Sequence, residues 1–273
     1  MRREGIDVIE INQPDRATRR KRGKTDAIDA AAAARAVLSG RATTVPKSAD
    51  GPVEDMRVLR LAKESAVKAR IQALNQLKAV LMSIDPDLCE LLTWAEQPAL
   101  VATCAALDVD GRGEAVFTMR LLARRVQHLS DEVKELTRRT TRAVRACRPQ
   151  MLDLVGVGPD SAAVLLIAAD DNPDRLVDEA SFAALCGVSP IEQSSGKTQS
   201  RRLNRGGHRQ ANAALYRIVQ TCIRWDERTQ KYLRRRSARG MSKHEIIRSL
   251  RRYVARELYR HIQPRTNQVP SAA

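Results

Sequence analysis

Residues 53–84 run without a glycine or a proline, and so do residues 114–148. Along the first stretch Met56, Leu59, Ala62, Ala66, Ala69, Ala73, Leu77 and Val80 recur at spacings of three and four. Along the second, Val116, Met119, Leu122, Val126, Leu129, Val133 and Leu136 keep the same period. Apolar side chains at that spacing line one face of a helix and must be covered. The sequence therefore predicts two long helices, linked by a shorter helical stretch around 88–107. Together they would form an antiparallel coiled-coil hairpin, with small alanines allowing close approach. Such a hairpin serves assembly or spacing rather than chemistry.

The flanking segments are shorter. Residues 6–11 (IDVIEI) read as a β-strand, which needs sheet partners that no neighbouring segment supplies. A polar loop over 15–24 carries Arg16, Arg19, Arg20, Lys21, Arg22 and Lys24. An alanine-rich helix is expected over 25–38, ended by Ser39 and Gly40. A linker follows to residue 52, holding Pro46, Gly51 and Pro52. Pro149 breaks the second long helix, and a compact unit begins near Met151. Two further helices are expected in it. One covers 208–238, with Leu215, Ile218, Cys222 and Leu233 inward; the other covers 242–261, with Ile247, Leu250, Val254 and Leu258 inward. The expected fold is mainly α. Its divisions fall at 1–52, 53–149 and 150–263, with a loose tail over 264–273.

The chain carries a formal net charge of +16. Residues 201–273 hold 19 Lys and Arg against four acids (Asp226, Glu227, Glu245 and Glu257), which is nearly all of that excess. Most of these cations are Arg, whose planar fork grips phosphate at two points. A merely solvated face mixes both signs, so the concentration points to a polyanionic partner. Aromatic residues make up only 3%, too few for a reader that works mainly by stacking on single strands. Cys89, Cys104, Cys147, Cys186 and Cys222 are widely spaced and form no Cys-x-x-Cys pair, which argues against a zinc or disulfide framework and suits a reducing compartment. The histidines His128, His208, His244 and His261 lack metal-ligand spacing. No apolar run is long enough to span a membrane, so a cytoplasmic, nucleoid-associated protein is expected.

Three segments could carry chemistry. The first is Leu154-Val155-Gly156-Val157-Gly158-Pro159. It reads as a helix-hairpin-helix turn, with Gly156 and Gly158 letting the backbone near a phosphate and Pro159 opening the next helix. It also reads as an ordinary Gly-Pro connection. The second runs from Cys186-Gly187-Val188-Ser189-Pro190 through Ser194-Ser195-Gly196-Lys197 to Arg201, Arg202, Arg205 and Arg209. A serine beside glycine on a loop, followed by dense positive charge, suits a nucleophile held at a phosphodiester. A Ser-rich turn bonding its own backbone looks the same. The third is Lys24-Thr25-Asp26-Ala27-Ile28-Asp29. Asp26 and Asp29, at i and i+3, share a helix face and could hold Mg²⁺. They could equally serve the helix dipole, or mimic a capping box.

Taken in order, these segments resemble the bridge-RNA-guided, DEDD-type transposases of the insertion-sequence family numbered one hundred and ten. The run 24–30 is similar to the end of that family's RuvC-like domain. Gly156-Val157-Gly158-Pro159 resembles the opening of its transposase domain. Phe182-Ala183-Ala184-Leu185-Cys186-Gly187-Val188-Ser189-Pro190, then Ser194-Ser195-Gly196-Lys197, resembles its signature. The resemblance implies a remnant of an α/β RuvC-like domain, a coiled-coil hairpin and a helical transposase domain with a helix-hairpin-helix. It implies acids, Asp26 and Asp29 among them, that bind Mg²⁺ in a composite site with a serine nucleophile, Ser195 in preference to Ser194. That serine would hold cleaved DNA as a phosphoserine. Lys197, Arg201, Arg202, Arg205 and Arg209, with Gly156 and Gly158, would meet nucleic acid. The implied partners are double-stranded DNA, a guide RNA and further copies of the chain through the coiled coil, and no membrane.

One departure stands out. The family's first Asp and its Glu lie well upstream of the Asp-x-x-Asp run, whereas only Glu4, Asp7, Glu10 and Asp15 precede Asp26 here, in unmatched context. The expectation is an N-terminally truncated copy, with a catalytically inactive protein that retains DNA or RNA binding as the alternative.

Overall fold

The computed structural model describes residues 6, 8, 9, 11, 25–43, 51–83, 97–110, 113–170, 176–192, 201–202, 204 and 206–262. The chain divides into two compact units, Met1–Ala49 and Asp50–Ala273. In the first, helix α1 (Asp26–Leu38) forms where the alanine run predicts it. No side chain of α1 is buried. Among the described residues of 6–11, Ile6, Val8, Ile9 and Ile11 belong to no strand. β-branched residues favour extended backbone, but a strand forms only against a partner.

The second unit is mainly helical, and the two long helices dominate its first half. Helix α2 covers Pro52–Met82 and helix α4 covers Gly113–Cys147. Pro52, expected in the linker, sits instead in the first turn of α2 behind Gly51. Proline costs nothing there, because its missing N–H would have had no helical partner. The two helices run antiparallel. Met56 near the start of α2 shares a core with Val144 near the end of α4, while Leu77 and Leu81 meet Met119 and Ala123 at the opposite end. Helix α3 (Gln97–Ala105) closes that far end with Leu100, Val101 and Cys104. The connection was expected to be helical over 88–107; α3 forms its later part, and 88–96 lie outside the described residues.

A 3-10 turn (Pro149–Asp153) redirects the chain into helix α5 (Pro159–Asp170). Every residue of α5 from Ser161 to Ala169 is buried. A short helix apolar on all sides can only be the centre of a core. Around it pack α6 (Glu179–Leu185), α7 (Arg209–Trp225), α9 (Lys243–Ile262) and the ends of α2 and α4. Phe182, Leu215, Ile218 and Leu258 are among the core's large, fully buried side chains.

The helix expected over 208–238 is two helices. Asp226 takes extended backbone (φ −101°, ψ 115°), ending α7 and opening α8 (Glu227–Ser237). Its carboxylate accepts from the Thr229 backbone N–H at 2.9 Å, a cap that offsets the broken helical bonds. Helix α9 opens on a reciprocal cap, in which the Ser242 hydroxyl and N–H donate to Glu245 Oε2 at 2.7 and 2.9 Å. The sequence reading also missed a two-stranded antiparallel ribbon, β1 (Ile191–Glu192) and β2 (Arg201–Arg202), in which Ile191 faces Arg202 and Glu192 faces Arg201. No described helix is long and apolar enough to cross a membrane.

Candidate nucleic-acid interface

The glycine turn at 154–159 does two different things. Gly156 has φ +83°, where L side chains are strained, and an added Cβ would lie 2.9 Å from both Cys222 Sγ and the Ile218 carbonyl. Its glycine is therefore required by packing on α7. The Cys222 thiol donates to the Val155 carbonyl at 3.2 Å and fixes the same contact. Burial first, then the carboxylates of Asp226 and Glu257, push that thiol up to about 11. Gly158 differs: among the described residues, its chain neighbours aside, no atom lies within 4 Å of an added Cβ, so a ligand backbone can approach there. The start of α5 is not an open anion site. Asp160 stands in its first turn and is paired with Lys63 of α2 at 2.7 and 2.8 Å. A carboxylate already answers the helix dipole at that end.

The serine segment begins on a rigid base. Asp178 and Ser181 form a reciprocal cap at the start of α6, with the Ser181 N–H donating to Asp178 at 2.7 Å. After α6 the chain turns through Cys186 and Gly187 (φ +67°). Here it crosses the segment that leads into α7. A Cβ on Gly207 would lie 2.3 Å from the backbone of Gly187, so the two glycines let two main chains touch. Side-chain amides hold the crossing. Asn212 donates to the carbonyls of Cys186 and Gly187 at 2.9 and 3.2 Å, Asn204 donates to Ala184 at 3.2 Å, and the Gly206 N–H donates back to Asn204 at 2.9 Å. Arg251 of α9 donates to the Asn212 oxygen at 2.7 Å and lies over the Tyr216 ring.

Above this crossing stand β1 and β2, and the chain between them contains Ser194, Ser195 and Lys197, which lie outside the described residues. Arg205 lies outside them too, and for Arg201 and Arg202 only the backbone is described. Arg209 is exposed in the first turn of α7. Cys186 is a poor rival to the serines: it is fully buried, and burial pushes its thiol up to about 12.

Part of the positive charge predicted from composition lies on α8 and the turn after it. Lys231 pairs with Glu227 at 2.8 Å, and Arg228 lies 3.8 Å from Glu257. Among the described residues, Arg234, Arg235 and Arg239 make no ion pair and are exposed. Arg235 and Arg236 lie 5.6 and 5.3 Å from the centre of the Tyr232 ring. In the separate N-terminal unit, Asp26 and Asp29 both stand in the first turn of α1. The cap is the Thr25 hydroxyl, which accepts from the Ile28 N–H at 3.3 Å. Among the described residues no third Asp, Glu, His or Cys joins them in a cluster.

Two family models match the chain. Residues 1–86 match a transposase model of DEDD type named for IS110, and residues 149–234 match the model described as Transposase IS116/IS110/IS902 family. Between them they cover well over half of the sequence. The chain belongs to the IS110 family of transposases. No curated protein matches it significantly.

In this transposase Asp26 and Asp29 fall within the first match, while the glycine turn, the crossing and Ser194 and Ser195 fall within the second. The residues that sequence reasoning missed are those of the crossing, Asn204, Gly207, Asn212 and Arg251, and the cap of α7. That cap is His208, whose Nδ1 accepts from the Ala211 N–H at 3.1 Å. Burial, and then the charge of Arg60 on α2, hold His208 below the ordinary histidine value. Only the neutral ring can accept that bond, so the folded state resists the proton more than the unfolded chain does. Its contribution to stability is complete above about pH 6.5 and is lost as pH falls towards and through the lower folded value. Acidification from pH 7.5 to 5.5 should lower the unfolding midpoint of the wild type more than that of His208→Asn. Asparagine caps without titrating, so parallel midpoints in thermal melts would refute the assignment.

Proposed function

We propose that this transposase grips double-stranded DNA along its arginine-rich C-terminal helices and transfers strands through the hydroxyl of Ser195. The reading rests on one arrangement above all. The segment with Ser194, Ser195 and Lys197 springs from a ribbon anchored at the crossing of Gly187 and Gly207, within the matched transposase region. A nucleophile needs a fixed mounting more than a flexible one.

In the proposed reaction Ser195 Oγ attacks a phosphodiester. A serine–phosphorus bond forms, the bond from phosphorus to one sugar oxygen breaks, and that oxygen leaves as a hydroxyl after taking a proton. A strand hydroxyl then attacks the phosphoserine and frees the serine. Backbone phosphates would be met by Lys197, Arg201, Arg202, Arg205 and Arg209, with Gly158 offering an unobstructed backbone. Asp26 and Asp29, adjacent carboxylates on one helix turn, fit the donor set of Mg²⁺ as two of its oxygen ligands. A bound Mg²⁺ would offset negative charge on phosphate oxygens. A guide RNA would choose the DNA, leaving the protein to recognise shape and backbone. The long pair α2 and α4 would join copies as a coiled coil.

The test separates grip from chemistry. Binding of the chain to a labelled duplex should weaken steeply between 50 and 200 mM salt, by roughly a hundredfold or more. Replacing Arg234, Arg235 and Arg239 together by Gln should flatten that slope. A duplex affinity indifferent to salt would overturn the grip. With guide RNA and Mg²⁺ supplied, a covalent protein–DNA adduct resistant to denaturant is the expected product. Binding with no adduct would overturn the nucleophile.

A further inference from the structure

A cleft of about 640 Å³ opens between the turn at 153–157 and helices α7, α8 and α9. Of the segments singled out in the sequence for chemistry, only the glycine turn reaches it, through Leu154, Val155 and Val157. Its floor is apolar, built from Leu154, Val157, Ile218, Val254 and Leu258. Its rim carries Arg228, Lys231 and Arg235, continuous with the unpaired arginines of α8. Tyr232 and Tyr253 stand in its wall with ring centres 5.8 Å apart in a T-shaped pair. Tyr253 is 47% exposed and Val155, also in the lining, is 55% exposed. The chain has only four tyrosines, Tyr216, Tyr232, Tyr253 and Tyr259. Two of them gather in this one cleft, in a protein otherwise poor in rings.

We infer that this cleft receives a single unstacked nucleotide, its base on the apolar floor beside Tyr253 and its phosphates on Arg228, Lys231 and Arg235. The inference rests on the nucleic-acid reading above. The volume lies within the range of small-ligand pockets, about 300–1,000 Å³. A paired and stacked base cannot reach an apolar floor, whereas an extruded one buries its ring there and keeps its charged backbone at the rim. Charge sets the orientation. Asp226, half-buried, and Glu257, exposed, also line the cleft, and both lie close enough to Cys222 to act on its thiol. They repel a phosphate and can accept from an exocyclic amine. One oxygen of Asp226 already serves the cap of α8, and Glu257 stands 3.8 Å from Arg228; the remaining carboxylate oxygens are the acceptors. A base that bears an amino group is therefore favoured over thymine or uracil.

The test uses the full chain and three DNA hairpins: one fully paired, one with a single bulged adenine, and one with a single bulged thymine. The adenine bulge should bind about tenfold more tightly than the paired hairpin, with thymine between them. Tyr253→Ala, and Val155→Trp, which fills the mouth, should each remove that gain without changing affinity for the paired hairpin. The paired hairpin thus reports that each variant is folded. The same hairpins made of RNA tell whether a DNA or an RNA strand supplies the nucleotide; the gain in either supports the site. Equal affinity of the wild type for bulged and paired forms of both overturns the inference and leaves the grip on duplex standing. So does a gain that survives both substitutions. Failure to bind any hairpin removes the underlying reading as well.

Discussion

Ser195→Ala is expected to abolish the covalent adduct and strand transfer, by at least about a thousandfold, because no other group can take the place of the attacking oxygen. Duplex affinity should stay within about twofold, since a neutral hydroxyl adds little to a grip made of salt-dependent phosphate contacts. Ser194→Ala should cost less than tenfold. The neighbouring thiol offers no bypass: Cys186 is buried and held up to about 12 by that burial. The measurement is the yield of denaturant-resistant protein–DNA adduct with guide RNA and Mg²⁺ present. If Ser194→Ala alone removes the adduct, the nucleophile is the other serine. If both variants keep it, the serine chemistry is wrong for this chain. Asp26→Asn and Asp29→Asn sharpen the reading. Each should lower adduct yield while duplex affinity holds or rises slightly, because a negative charge is removed.

Much of the helical frame is written in local periodicity, and the places where it is not have physical causes. The stripes through Met56, Ala66, Ala73 and Leu77, and through Val116, Met119 and Val126, are buried as their spacing requires. Charge was legible too, because Arg234 to Arg236 are clustered in sequence and sit on one short helix. The break at Asp226 escaped because a single residue both ends α7 and opens α8. Its signal was an Asp three residues before Thr229, an N-cap pattern hidden inside an otherwise continuous period. The glycine turn was found, but its meaning was split. That Gly156 is demanded by Cys222 and Ile218, while Gly158 faces open space, depends on a helix more than fifty residues away. The crossing of Gly187 and Gly207 is invisible to any local rule for the same reason. In sequence Gly206-Gly207 is only a pair of adjacent glycines and Asn212 only a polar residue near the start of a helix. Only tertiary contact makes them one structure.

Gly207→Ala should accordingly be among the most destabilising single-methyl substitutions in this protein, and its damage should spread to the serine segment. The added Cβ would sit 2.3 Å from the Gly187 Cα and N and 3.0 Å from the Cys186 carbonyl carbon. These are main-chain atoms that no rotamer change can move aside. Gly187 cannot yield easily, because it occupies φ +67° and its carbonyl is held by Asn212. Nor can the start of α7, whose His208 N–H donates to the Leu185 carbonyl at 2.6 Å. Relief must come from parting the two chains, with loss of the Asn204 and Asn212 bonds. Overpacking of this kind costs about 3 kcal/mol, which in a domain of this size lowers the melting midpoint by roughly 6–12 °C. Gly158→Ala is the matched control. It adds the same methyl to a glycine of the same unit where nothing lies within 4 Å, and should shift the midpoint by about 2 °C or less. If the crossing mounts the ribbon, Gly207→Ala at a temperature where it remains folded will also lose adduct yield, while the salt-dependent grip of α8 persists. Equal melting of the two variants would mean that the main chains at 187 and 207 do not touch, and the proposed mounting of Ser195 would go with them.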